Sequence, residues 1–172
     1  MNNLVLIRQT GAFFAYLLLQ IFFFRYLELF GVAYCFLYVN FLLFLSVDTD
    51  NRVLLLVGFF VGFLIDGFDG TLGIHAFACV LIMYFRQFIL NFLFDKNQVY
   101  TLSLSENGII WYLQYTLTLT FIHHFTIFLL QQFNFSYFFD TLLKGVASAI
   151  LTTFLGILIQ YLFFSSLIKN TR

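Results

Sequence analysis

Apart from Arg86 and Lys144, every charged side chain in this sequence lies at or beside a break between long apolar runs. The runs cover residues 9–25, 29–47, 53–66, 72–94, 108–130 and 141–165. A helix that crosses a bilayer needs about 20 apolar residues, with a range of roughly 17 to 25. Only 9% of the residues are charged and 62% are hydrophobic. Soluble domains carry about 25% charged residues, so an ordinary water-facing surface cannot be built here. The expected fold is an all-α polytopic membrane bundle of about six transmembrane helices, forming a single transmembrane domain over residues 1–172. Run 53–66 is short. The alternative is therefore five spans plus a re-entrant segment there, its carboxyl end covered by neighbouring protein.

With six spans both termini share one side, together with Arg8, Arg52, Lys96, Lys169 and Arg172, whereas Arg25 and Lys144 lie opposite. The positive-inside rule then places both termini in the cytoplasm and puts Asp66 and Asp69 at the outer end of spans three and four. The formal net charge is zero, so nothing points to nucleic acid, and no basic tail points to lipid headgroups. Arg25 follows the first run where a signal peptide would have a small-residue cleavage site, so that run reads as a retained helix. Cys35 and Cys79 lie in apolar runs and read as buried thiols. Tyr34, immediately before Cys35, argues against lipoprotein processing.

Polar residues inside the runs fall on helical faces. Gly58 and Gly62 form a small-xxx-small pair, and Gly145, Ala149 and Gly156, with Ser148 and Thr152, give the last span a similar face. Such faces pack helices within a chain or against a partner's membrane helix by the same physics. Gln9, Tyr16 and Gln20 share one face of the first span, and Thr116, Thr120 and His123 share one face of the fifth, with His124 to one side. These read as interhelical hydrogen bonds; a proton relay through the histidines is the functional alternative. His123 and His124 are adjacent and so do not have the i, i+4 spacing of a chelating pair. His75, Cys79 and Arg86 form a stripe on the fourth span, which reads as an internal seam from which Arg86 snorkels toward the interface.

The densest polar cluster is GFLIDGFDGTLGIHAFA, residues 62–78, between spans three and four. Gly67, Gly70 and Gly73 permit a tight reversal. Carboxylates suit the amino end of the next helix, with Asp69 or Thr71 as its cap. Metal binding by Asp66, Asp69 and His75 lacks the ligand spacing of a calcium loop or a zinc protease. Two aspartates three residues apart in one turn do not face each other as an aspartyl protease requires. Ion or substrate translocation uses helices broken near the midplane, and this turn sits at a bundle edge.

The motif formed by Gly62, Asp66, Gly70, Leu72, Gly73, His75 and Ala76 resembles MreD, the family of bacterial rod shape-determining membrane proteins, and chain length and hydropathy extend that resemblance over the whole sequence. One departure is the proline that the family carries near the start of the second span, where this chain has Cys35. The resemblance implies a non-enzymatic inner-membrane scaffold, multi-pass and without cofactor. Its implied partners are MreC directly, and MreB, RodA and RodA's transpeptidase through the complex, all within membrane lipid. The MreD bundle is also similar to the substrate-binding subunits of energy-coupling-factor vitamin transporters. That rival predicts a polar small-molecule pocket lined by Asp66, His75, Trp111 and Tyr112. An enzyme is the third class, and no nucleophile–base arrangement assembles from these residues.

Overall fold

The computed structural model describes residues 3–93, 102 and 107–161, with side chains from residue 9 onward. The ends of expected spans 72–94 and 141–165, most of the loop 95–107, the side chain of Arg8, and Lys96, Lys169 and Arg172 lie outside the described residues. The chain folds as an all-α bundle. Helix α1 covers Asn3–Leu19 and is prolonged by a wider π-type turn, Gln20–Phe24. A two-stranded hairpin pairs β1, Glu28–Leu29, with β2, Ala33–Tyr34. Short helix α2 is Tyr38–Leu43, followed by α3, Asn51–Asp69, and α4, Ile74–Leu93. Helix α5 is Ile109–Gln132, and a single 3-10 turn, Phe135–Tyr137, leads into α6, Phe138–Ile159.

Among the described residues four helices are long and apolar enough to cross a membrane: α3, α4, α5, and α6 with its preceding turn. The apolar stretch Gln9–Phe24 is shorter. Helix α3 begins where the Asp50 carboxylate accepts the Arg52 backbone N–H at 2.7 Å. It stops at Gly70, whose left-handed φ of 69° lets its N–H return to the Asp66 carbonyl at 2.8 Å. It is one continuous helix of 19 residues, long and apolar enough to cross a membrane. Gly58 and Gly62 let α3 lie against α4. A Cβ on Gly62 would come within 2.5 Å of the His75 carbonyl oxygen and the Ala76 Cα, so only hydrogen fits. Gly145 lies against Phe125 of α5, Ala149 is buried, and Gly156 faces the Asn40 amide.

The second run departs from expectation. Residues 29–47 are not a spanning helix but a hairpin, an extended stretch and the six-residue α2. Phe30 and Gly31 both have positive φ, which turns the hairpin tightly. Beyond it, Cys35, Leu37 through Leu43 and Leu45 are buried, with the bundle packed around them. The segment passes from beside His75 to beside Arg86, a rise of about 17 Å along α4. Backbone that leaves a helix inside an apolar bundle must find partners other than its own carbonyls.

Side chains supply those partners. Gln20 donates to the Cys35 carbonyl at 3.1 Å and accepts the Leu37 N–H at 2.6 Å. Ser148 accepts the Tyr34 N–H at 2.9 Å, and Thr152 accepts that of Phe36 at 3.3 Å. The Tyr115 hydroxyl donates to the Leu43 carbonyl at 2.9 Å, while Arg86 donates to the Leu45 carbonyl at 2.5 Å. Polar residues from four helical elements therefore replace the ladder that the broken segment lacks.

Candidate functional site

The turn between α3 and α4 is organised by Asp66. Its Oδ1 accepts the Thr71 hydroxyl at 2.5 Å and the His75 N–H at 3.0 Å, and its Oδ2 accepts the Ala76 N–H at 2.9 Å. The side chain is buried, and both oxygens are committed to the start of α4, where free N–H groups and the helix dipole stabilise negative charge. The cap expected from Asp69 or Thr71 is thus made by Asp66, with Thr71 as its hydrogen-bond donor. Gly67 and Gly70 are exposed, Gly70 and Gly73 adopt positive φ, and Leu72 projects fully outward.

Asp69 faces the other way. Its Oδ1 lies 2.7 Å from Arg25 Nε, and Arg25 also donates through Nη2 to the Phe68 carbonyl. Its Oδ2 lies 3.7 Å from His75 Nε2. Arg25, at the end of α1's extension, is therefore a partner of the turn, a role that its place after the first apolar run does not signal. Asp69 and His75 line an open cleft of about 430 Å³. Its walls include Arg25, Tyr34, Gln131 and Lys144, the last ion-paired with Asp140 at 2.8 Å.

From the cleft a file of polar groups enters the bundle. His75 Nδ1 is 2.7 Å from the Tyr38 hydroxyl, which is 2.9 Å from His123 Nε2. Cys79 Sγ lies 3.7 Å from the same His123 nitrogen. Tyr38, His75, Cys79 and His123 are all buried. His124 has a different task. Its Nδ1 donates to the Thr120 carbonyl at 2.6 Å, leaving Nε2 to accept the Thr152 hydroxyl at 2.9 Å. Thr152 in turn holds Phe36, so His124 supports the broken segment through it. Thr120 also meets Thr153 of α6 at 3.2 Å, and Thr116 bonds back to the Tyr112 carbonyl.

Several expectations need correction. Arg86 does not snorkel outward; it is fully buried, bonded to the Leu45 carbonyl and to the Tyr115 hydroxyl at 3.0 Å. The pocket expected from Asp66, His75, Trp111 and Tyr112 does not form as a unit. Only His75 of the four lines the cleft, and Tyr112 stacks on Phe44 beyond the far end of α2. Tyr16 and Gln20 are buried as their shared face implied, whereas Gln9 is only half-buried. Cys35 and Cys79 are free and buried. Among the described residues no group of three or more His, Cys, Asp or Glu side chains is placed to hold a metal ion. Tyr38 and Asn40 were not singled out by sequence; a tyrosine in an apolar aromatic-rich run carries no periodic signal, although the amide of Asn40 inside such a run does require a partner.

Four long apolar helices around a buried, side-chain-bonded segment define an all-helical, membrane-embedded protein. Comparison of the chain with protein-family models, with curated proteins and with solved structures returned no match.

Proposed function

We propose that the protein is a non-catalytic scaffold of the MreD type, a bacterial inner-membrane subunit of the cell-elongation complex that binds MreC and helps position peptidoglycan synthesis. The observation that carries this reading is the use of the Asp66 carboxylate: all three of its hydrogen bonds go to Thr71 and the first turn of α4. A carboxylate committed in this way is a joint between two helices, which suits a family motif kept for assembly. In this reading the broken segment is the second of six crossings, so both termini face the cytoplasm and the cleft faces the periplasm. MreB, RodA and its partner transpeptidase join through the complex.

The test is co-purification with MreC in mild detergent from the native host. We expect a stable complex, and a reduced yield with Asp66→Ala. Reproducible failure of the wild-type pair to co-purify would contradict the scaffold.

The cleft favours one rival, a small-molecule-binding subunit of an energy-coupling-factor transporter. Its volume falls within the range of about 300–1,000 Å³ found for ligand sites, and aromatic and polar walls converge there. That rival predicts a small molecule carried through purification and detectable by mass spectrometry. A clean spectrum together with MreC binding favours the scaffold.

A further inference from the structure

We propose that Asp69, His75, Tyr38 and His123 form a proton path that leads from the open cleft to a buried accepting site at His123. The successive separations are 3.7, 2.7 and 2.9 Å, so the two inner links are within hydrogen-bond distance. Asp69 and His75 line the cleft, which brings bulk protons to the outer end of the file. At the inner end the accepting atom is His123 Nε2, 2.9 Å from the Tyr38 hydroxyl, while Nδ1 of the same ring is buried without a hydrogen-bond partner among the described residues and keeps its own proton.

Tyr38 fixes how the file works. Its hydroxyl carries one proton and touches two imidazole nitrogens, so it donates to one and accepts from the other. The tautomers of His75 and His123 are thereby tied together. Consider His75 donating from Nδ1 to Tyr38, and Tyr38 donating to His123 Nε2. A proton taken from cleft water or Asp69 at His75 Nε2 displaces the Nδ1 proton to the Tyr38 oxygen. The proton of Tyr38 then passes to His123 Nε2. Each intermediate group gains one proton as it loses one, and the net result is one proton moved from the cleft to the His123 ring.

The groups facing His123 are few. Tyr38 comes from α2, His75 and Cys79 from α4, and His124 from α5. Phe36 presents an aromatic contact, and the hydroxyls of α6 bond to Thr120 and His124 instead. Asp66 stands near the outer end of the file but spends its oxygens on the turn.

The chain has only three histidines, so the ring nitrogens of an isotope-labelled sample in detergent can be assigned by single substitution. Their magnetic resonance spectrum is followed from about pH 8 to about pH 3, through and below the range in which a free imidazole titrates. The proposal expects His123 to change tautomer or protonation in the same step as His75. In Tyr38→Phe, His75 still responds and the response of His123 is lost. A His123 ring that stays fixed in the wild type while His75 titrates overturns the proposal, as does a His123 response that survives in Tyr38→Phe. If that variant fails to fold, the wild-type titration decides alone by the same criterion.

Discussion

At the residue scale, an ionisable or polar side chain in an apolar bundle is explained by what it bonds. Asp66 holds three donors, and removing it leaves two amide groups of α4 without an acceptor. Asp66→Asn keeps one acceptor oxygen and is expected to cost about 1–3 kcal/mol, read as a lower thermal midpoint in detergent. Thr71→Val removes only the hydroxyl bond and is expected to cost about 1 kcal/mol. No loss in Asp66→Asn would mean that the second carboxylate oxygen contributes nothing to the cap. The sequence already pointed to this turn through its glycines and carboxylates. It did not reveal which aspartate caps and which pairs, because that depends on Arg25 arriving from a distant element.

At the element scale, the α3–α4 contact rests on missing side chains. Gly62→Ala would drive a Cβ into the backbone of His75 and Ala76, so the helices must part. A loss of about 3 kcal/mol or failure to fold is expected. Gly67 sits one turn on, exposed and with open space around its Cβ position, so Gly67→Ala is expected to gain about 0.5–1 kcal/mol through helix propensity alone. Thermal unfolding of the two variants side by side checks the contrast.

The same scale shows where sequence reading stopped. Run 53–66 looked too short for a helix that spans, yet α3 reaches Asp69 because the turn residues extend it. Run 29–47 has the hydropathy of a spanning helix because hydropathy registers burial and does not distinguish lipid from protein as the surroundings. The signal of a broken segment was present elsewhere, in Gln20, Arg86, Ser148 and Thr152. Their spacing points to an interhelical bond for Gln20, a snorkelling cation for Arg86 and a small packing face for Ser148 and Thr152, whereas all four bond the backbone of residues 34–45.

At the scale of the whole molecule, the broken segment ties the bundle together. It touches Gln20 from the end of α1, Arg86 from α4, Tyr115 from α5, and Ser148 and Thr152 from α6. Each bond to a transmembrane partner contributes on the order of 1 kcal/mol, so no single one decides the fold. Together they make the segment a shared core, and its stability should follow that of the bundle. Arg86 is the exception in size, since its bonds to the Leu45 carbonyl and the Tyr115 hydroxyl come from a charged group and are the stronger kind. Arg86→Met is therefore expected to be the most damaging of these substitutions, with a midpoint below that of Gln20→Leu.

The most direct test of this arrangement is amide hydrogen exchange over residues 34–45 in the wild type and in Gln20→Leu. The account predicts slow exchange in the wild type, as slow as in the middle of α4. In the variant it predicts faster exchange centred on Leu37, with α3 and α4 unchanged. Fast exchange across this segment in the wild-type protein, or no change at Leu37 when Gln20 is replaced, would contradict a buried segment held by side chains.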